Sequence, residues 1–390
     1  MSHRIKKIAF LDYSPVFAGA ERMLYNMIAH IDKLKYEPII VFPYPMAHQK
    51  IYDSLKCEKI YLADSLSWWM GSDRWEHPLR GTDFIKRTEL GRRLANIVNA
   101  RDIDIVDVNL MRGDVKMWVW ATKKFTQAKI VGHYRSQEQG FVPSAHAQKL
   151  FDLVACVSKF SLLCFQRKGL FTNSIVLYDS VDIDRMICAL SKDEAKRKLG
   201  FNSDIILLSS IGQLSVRKGH DNAIRAFGQI SRKYPKTRLL IAGGGSNDQI
   251  ELYKRIATEE GVAEKVIIPG EQLTDIQTVY KATDITLSLS KDGEGFGLVP
   301  YESVLIGTPF IGPNIGAILE FVVDQKNGLL VNPNDIDAIV DKISYALENG
   351  AMMLSMVENL KQIIITKLSP SILAENLEKA YESLYKIDCN

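Results

Sequence analysis

Two glutamates, Glu294 and Glu302, have seven residues between them in the segment Ser290-Lys291-Asp292-Gly293-Glu294-Gly295-Phe296-Gly297-Leu298-Val299-Pro300-Tyr301-Glu302. A glycine-rich loop here runs into a helix whose first turn accepts Pro300, because that N–H would lack an intrahelical partner anyway. Glu294 then lies in the loop and Glu302 about one turn into the helix, so both carboxylates can face one ligand. Backbone amides at Phe296, Gly297 and Leu298 would meet an anion at the positive end of the helix dipole. The plainer reading makes Glu294 a turn residue and Glu302 a solvated helix residue. A hydrolytic acid–base pair is a further reading, but the neighbouring loops suit a diphosphate better.

A second candidate loop is Gly212-Gln213-Leu214-Ser215-Val216-Arg217-Lys218-Gly219-His220. Glycines flanking a basic pair fit a phosphate site, Lys218 as a point charge and Arg217 as a fork, although the spacing is not that of a P-loop. The first loop, Ser14 to Arg22, offers only Gly19 ahead of a helix. It is not G-x-G-x-x-G, which removes the fingerprint of a nicotinamide-dinucleotide oxidoreductase; a tight turn is its alternative. Gly243-Gly244-Gly245 is a donor-cleft lining or a turn. Asp102-x-Asp104 imitates a metal-binding pair but leads into the apolar Ile103, Ile105 and Val106, so no metal site is expected. Trp68-Trp69-Met70 and Arg74-Trp75 set aromatic rings beside basic side chains, as lipid contact or local packing.

The elements that must position these loops alternate strand and helix. Ile8–Asp12, Ile39–Phe42, Asp104–Val108, Ile130–Val131 and Leu153–Val157 read as buried strands, with a helix over 20–32 carrying Met23, Met27 and Ile31 on one face. Around 179–200 the character changes, and Ser191-x-x-Glu194 is a capping box opening a short charged helix that stops at Gly200. A second alternation follows: strands Ile205–Ile211, Arg238–Ala242, Lys265–Ile268, Ile285–Leu289, Pro309–Ile311 and Gly328–Val331, with helices over 220–233, 247–260, 335–348 and 371–387. Near-continuous apolar strands alternating with helices predict parallel sheets covered on both faces. The expected fold class is α/β, two doubly wound domains with a cleft between them. Ligands of such sheets bind beyond the carboxyl ends of the strands.

At 390 residues, 46% hydrophobic and 24% charged, the chain is long enough for two such cores and unlike collagen, disordered or disulfide-scaffold sequences. Its net charge of +3 conceals a split: residues 1–180 carry 26 Lys/Arg against 18 Asp/Glu, residues 181–390 carry 23 against 28. A basic N-terminal half anticipates an anionic partner. Five cysteines without a C-x-x-C pair read as reduced thiols. The apolar stretch Ile8–Leu11 is too short for a signal peptide, and no run approaches the roughly 20 residues that span a bilayer. The expectation is a cytoplasmic protein whose membrane contact, if any, is peripheral.

Lys218-Gly219-His220 after Gly212, with Glu294 and Glu302 inside E-G-F-G-L-V-P-Y-E-S, resembles the retaining nucleotide-sugar glycosyltransferases of GT-B fold, family 4 (glycosyl transferases group 1). Ala18-Gly19-Ala20-Glu21-Arg22 is similar to that family's G-G-A-E-R loop, and Ile130-Val131-Gly132-His133 to its strand ending in a histidine. Val157-Ser158-Lys159-Phe160 is similar to its V-S-x-x, and Gly307-Thr308-Pro309 and Asn327-Gly328-Leu329-Leu330-Val331 to its closing pattern. Tyr178-Asp179-Ser180-Val181-Asp182 resembles N-G-V-D with Asp and Ser in place of Asn and Gly.

The resemblance implies an N-terminal acceptor-side domain over 1–180, completed by a last helix at about 371–390, and a nucleotide-sugar domain over 185–370. It implies that Lys218, Gly19 and the amides at Gly297 and Leu298 stabilise the leaving diphosphate without a metal or other cofactor. Glu302 would hold the ribose and Glu294 the sugar hydroxyls; Ile268 and Gly270 would meet the base, and His133 and Arg135 the transferred sugar or acceptor. The resemblance further implies transfer of the sugar with retention, the leaving phosphate acting as base. Implied partners are a UDP- or GDP-sugar and a glycan or lipid-linked acceptor of cell-surface polysaccharide assembly, with possible peripheral association with an anionic membrane and no nucleic acid. Gln213 stands where the family has Arg, and this motivates the alternative of a weak or inactive scaffold subunit with the same fold.

Overall fold

A computed structural model of the chain describes residues 4–14, 17–64, 81–111, 115–135, 145–167, 173–271 and 275–386. The chain divides into two units, Met1–Ser180 with Pro370–Asn390, and Val181–Ser369. Each is built on one wholly parallel sheet.

In the first unit the strands are β1 (Lys6–Leu11), β2 (Tyr36–Phe42), β3 (Glu58–Tyr61), β4 (Ile105–Val108), β5 (Lys129–Tyr134), β6 (Leu153–Cys156) and β7 (Ser174–Val176). Their spatial order is β3-β2-β1-β4-β5-β6-β7. The order reverses between β1 and β4, which pair in parallel from Ile8 opposite Ile105 to Leu11 opposite Val108. Helices α1 (Gly19–His30), α2 (Gly81–Ala100), α3 (Lys116–Phe125), α4 (Ala145–Gln148) and α5 (Lys159–Gln166) connect the strands. The strand interiors Ile8–Leu11, Ile39–Phe42 and Ile105–Val108 are fully buried, as a sheet covered on both faces requires. β3 and β7 were not anticipated from the sequence. They are edge strands of four and three residues, half-exposed, and so lack the apolar run that marks β1 or β4. The Trp68–Trp75 cluster lies outside the described residues.

The chain's last helix packs in this unit. Among the helices of the second unit is α12 (Gly350–Lys367), and α13 (Pro370–Lys386) follows it, lying against α1. Glu378 of α13 accepts the Asp32 backbone N–H at 2.8 Å, beyond the C-terminal end of α1. Tyr381 reaches the sheet itself, its hydroxyl donating to Asp107 Oδ2 at 2.7 Å from a fully buried position.

The second unit holds β8 (Ile206–Ile211), β9 (Thr237–Ala242), β10 (Val266–Ile267), β11 (Ile285–Leu287), β12 (Phe310–Pro313) and β13 (Leu329–Val331). The order is β10-β9-β8-β11-β12-β13, reversing between β8 and β11. Its other helices are α6 (Lys192–Lys198), α7 (His220–Lys233), α8 (Asn247–Glu259), α9 (Ile276–Ala282), α10 (Val299–Ile306) and α11 (Ile336–Glu348). Ser191 and Glu194 form the predicted capping box of α6. A reversal of strand order opens a crevice outside the carboxyl ends of the two strands it separates. In this unit those ends lead into Gly212–His220 and Leu289–Leu298, the two loops that carry Lys218 and Glu294.

The buried Tyr381–Asp107 bond gives a direct test of the α13 seat. A hydrogen bond to a charged group contributes about 1.5–3 kcal/mol, so Tyr381→Phe should lower the stability of the first unit by that amount in equilibrium urea unfolding. An unchanged midpoint would show that the Tyr381–Asp107 bond does not help to hold α13.

Candidate active site

The loop after β8 turns through Gly219, which has φ +71° and sits at the N-cap of α7. A Cβ built there would lie 2.0 Å from the backbone oxygen of Leu289, at the end of the β11 segment. Glycine is therefore required twice, by the left-handed backbone and by the approach of two main chains. The amide of Lys291 also donates to the Arg217 carbonyl at 2.8 Å. The two loops are stitched backbone to backbone. Gly293 meets Gly316 similarly, a Cβ on the former lying 2.8 Å from the latter's Cα.

This stitching sets the side-chain chemistry. Lys218 Nζ donates to Glu294 Oε1 at 2.8 Å, with both side chains about four-fifths buried. Ser290 Oγ donates to the same carboxylate oxygen, and Arg217 Nη1 lies 3.4 Å from the Gly293 carbonyl. Burial alone would raise the Glu294 pKa. The Lys218 charge and hydrogen bond, the Ser290 hydroxyl and the Arg217 charge outweigh it and hold the carboxyl below its usual range. Lys291 is spent on Asp221, at 2.6 Å.

Downstream, Phe296 is buried and stacks on Tyr301 with centroids 5.2 Å apart. Gly297 takes φ +81°, and Leu298 precedes α10 without a side-chain cap. Among the described residues, the amides of Phe296, Gly297 and Leu298 donate to no backbone or side-chain acceptor. Three unengaged N–H groups entering a helix are suited to receive an anion. Glu302, in the first turn of α10, accepts from Arg185 Nη1 at 3.0 Å and from the Tyr280 hydroxyl at 2.9 Å.

His220 holds the Lys218 loop from beneath. Its Nε2 lies 3.1 Å from the Gln213 carbonyl and its Nδ1 2.8 Å from Ser210 Oγ. A carbonyl only accepts, so Nε2 carries the proton and Nδ1 receives the Ser210 hydroxyl. Burial, aided by the Lys218 charge and opposed by the Gln213 carbonyl, pushes the imidazole pKa down to about 4. The Gln213 residue itself is exposed. Ile268 and Gly270 follow β10; Ile268 is half-buried against the core and Gly270, at φ +76°, backs onto Ile250.

Residues 191–363, which include Lys218, Glu294 and Glu302, match the family model for Glycosyl transferases group 1. That segment is similar to the group 1 glycosyl transferases. A GDP-mannose-dependent alpha-(1-6)-phosphatidylinositol monomannoside mannosyltransferase of Mycolicibacterium smegmatis is 34% identical over 173 residues, 42% of this chain and 44% of that one. The chain spans about half the length of the curated relatives it matches. A glycosyltransferase from Rickettsia africae has a TM-score of 0.81 at 18% identity, covering 98% of this chain and 99% of that one. The Anabaena protein HepE in complex with UDP and glucose has a TM-score of 0.79 at 18% identity, covering 97% and 100%. These likenesses show the fold, which is GT-B.

Outside residues 191–363, the first unit treats its predicted residues differently. Gly19 is exposed at the start of α1, beyond the carboxyl end of β1, and Glu21 accepts the Ala18 N–H at 2.9 Å. His133, expected to meet the transferred sugar or acceptor, has one ring nitrogen engaged by Asp107. It is 1% exposed, with Nε2 3.0 Å from the Asp107 oxygen that Tyr381 also serves. Arg135, expected to touch the acceptor, is engaged by the Asn109 carbonyl at 3.0 Å, by the Asn109 side chain at 3.2 Å and by Asp179. Asp179, which stands where the family has Asn, is thus an ion-pair partner, although burial raises its pKa beyond what Arg135 offsets. The Asp104 carboxylate is taken by Arg4 and, at 2.8 Å, by the Lys7 N–H. Among the described residues no cluster of three or more His, Cys, Asp or Glu side chains could hold a metal ion.

Sequence reasoning missed Arg185, Tyr280 and Ser290 in the second unit. It also missed Asp12, whose Oδ2 accepts from Tyr52 at 2.8 Å and faces His48 Nε2 at 3.1 Å beyond β1. None belongs to a motif with chemical spacing; an aspartate ending a buried strand before a loop was the one available signal.

Two outcomes follow from this geometry. Gly219→Ala should separate the loops, lowering the melting temperature by several degrees and abolishing ligand binding in the second unit; calorimetry of the variant checks both. In the case of His220, the unfolded imidazole takes a proton near the ordinary histidine value of 6.5, whereas the folded one takes it only near about 4. Its contribution is present above that window and is lost as pH falls through it, amounting to about 3 kcal/mol. Melting curves between those pH values should show the slope in the wild type and a flatter one in His220→Gln.

Proposed function

We propose that the chain is a glycosyltransferase moving a sugar, with retention, from a nucleotide diphosphate sugar to a hydroxyl of a glycan or lipid-linked acceptor, in the assembly of a cell-surface polysaccharide or glycoconjugate. The observation that carries the reading is the joining, at the strand-order reversal of the second unit, of a paired Lys218–Glu294 to the unengaged amides of Phe296–Leu298. Breaking the bond between sugar C1 and the diphosphate oxygen loads negative charge onto the leaving group. Donors already aimed at that charge lower the barrier because they need no reorganisation as it grows.

In this reading Lys218 keeps one N–H on Glu294 and turns the other two toward the diphosphate, whose remaining oxygens meet the helix-entry amides. Arg217 adds charge from behind the Gly293 carbonyl. Glu294, held ionised, accepts from hydroxyls of the transferred sugar, and Glu302 accepts from the ribose. Main-chain groups around Ile268 and Gly270 meet the base. The Gln213 substitution removes one cation from this set, leaving Lys218 and Arg217 to supply the charge. On the first unit, the acceptor is assigned to the loop around Gly19 and to His133, of whose ring only Nε2 is spent on Asp107, while Arg135 is held by Asn109 and Asp179. The named specificities of the Mycolicibacterium mannosyltransferase and the UDP held by the Anabaena protein support a nucleotide-sugar donor. Among the described residues no helix is long and apolar enough to cross a membrane, so a lipid-linked acceptor would be met from the surface.

The test is a thermal-shift screen with UDP-, GDP- and ADP-sugars. A ligand at 100 times its Kd stabilises the folded state by about 2.7 kcal/mol, and one nucleotide series should raise the melting temperature by several degrees. Lys218→Ala should lower turnover of that donor at least about 100-fold while still melting in a single cooperative transition, the loss of a partner for buried Glu294 lowering its midpoint. A chain that responds to none of the donors, or a variant with wild-type turnover, would sink the reading.

A further inference from the structure

Glu302 is held by two donors that come from outside its own helix. Arg185 lies in the short 3-10 turn Asp184–Met186, N-terminal to the 191–363 segment that matches the family. Its guanidinium donates to Oε1 at 3.0 Å. Tyr280, on α9, donates to Oε2 at 2.9 Å. Each oxygen of the carboxylate thus has one partner, and the partners approach from separate elements.

Both donors are themselves fixed. Arg185's backbone N–H donates to Asp182 Oδ1 at 3.1 Å, and its carbonyl accepts from Gln277 Nε2 at 2.8 Å. The side chain therefore starts from a point anchored to the same helix that carries Tyr280. Tyr280 is fully buried. Burial first, and then the Glu302 charge and the hydrogen bond to it, push its phenol pKa well above the ordinary value, so the hydroxyl is always a donor. It also feels the charge of Glu294, which sets the two glutamates around one tyrosine.

A carboxylate offers about four lone-pair directions. Arg185 and Tyr280 fill one on each oxygen and leave one on each. The Glu302 side chain is 13% exposed, which leaves a narrow open edge for those two. One acceptor on each of two linked oxygens matches two hydroxyls on adjacent carbons, each donating one hydrogen bond. An unrestrained glutamate would lose side-chain entropy to present that edge; here the loss is already taken in folding.

We propose that Arg185 and Tyr280 are positioning residues that fix the Glu302 carboxylate so that its two remaining lone pairs receive the vicinal hydroxyls of a nucleoside ribose. The preference for ribose over deoxyribose is then set jointly by three side chains from three elements. The proposal rests on the donor reading above, and it assigns neither Arg185 nor Tyr280 a contact with the ligand.

The experiment is calorimetric titration of the full chain with UDP, GDP and ADP and with the 2′-deoxy form of each. The wild type should bind its preferred ribonucleotide about tenfold more tightly than the deoxy form, the scale of one hydrogen bond to a charged group. In Tyr280→Phe and Arg185→Met that ratio should fall below about threefold, the loss falling on the ribonucleotide. Arg185→Lys, which returns one donor to the site, should recover part of it. Lys218→Ala serves as the contrast: it should weaken both forms and keep the ratio. Tyr280→Phe removes a single oxygen, so it reports even if Arg185→Met is too unstable to titrate. Variants that retain the tenfold ratio, or lose affinity equally for both forms, overturn the proposal and leave the donor reading standing. A wild type that binds none of the three ribonucleotides overturns the donor reading and the proposal together.

Discussion

The contact between Gly219 and the Leu289 carbonyl governs the second unit. A side chain of any size at position 219 would drive the loop after β8 away from the loop after β11. Lys218 and Glu294 are 76 residues apart in sequence, and their 2.8 Å pair exists because those two backbones touch. The pair in turn decides the state of both groups. Glu294 stays ionised in a site whose burial opposes ionisation, and Lys218 is held where a phosphate would arrive. His220, one residue beyond the glycine, braces the same loop through the Gln213 carbonyl, and only its neutral imidazole also accepts the Ser210 hydroxyl.

The strand order supplies the place for this contact. β8 and β11 are neighbours from which the sheet is wound in opposite directions, so the helices after them leave toward opposite faces and their first turns stand apart. The first unit repeats the arrangement at β1 and β4 with a different chemical result. Its strand ends carry Asp12 and Asp107, both buried and hydrogen-bonded to tyrosines from distant parts of the chain. On residues that a short motif would assign to a ligand, His133 Nε2 ties β5 to β4, and the Arg135 guanidinium ties the end of β5 to Asn109 and to the chain before the unit boundary.

The alternation of apolar strands with amphipathic helices was plain in the sequence because a strand buried on both faces has no polar alternative. β1, β2, β4, β8 and β9 were found within a few residues. The edge strands β3 and β7 were not, since an edge tolerates the polar and half-exposed residues of Glu58-Lys59-Ile60-Tyr61 and Ser174-Ile175-Val176. Candidate site residues divided in the same way. Lys218, Glu294 and the amides before α10 were legible because the glycines beside them announce a loop that must pack tightly. Arg185 and Tyr280 carry no such mark: one lies in a turn after the unit boundary, the other in the middle of a short helix.

By itself, then, the sequence determined the layered α/β class, the two successive alternations and the glycine-flanked loops that bring charged groups to strand ends. Those properties follow from local rules of periodicity, helix entry and backbone freedom, each readable over a dozen residues. Tertiary structure alone decided which charged groups are engaged with one another. It seated Arg185 and Tyr280 on Glu302, spent Lys291 on Asp221, and joined His133 Nε2 to Asp107 and Arg135 to Asp179. The physical reason is that a buried charge must find a partner wherever the fold provides one. That partner is set by which strands are neighbours in space, a relation no local spacing records.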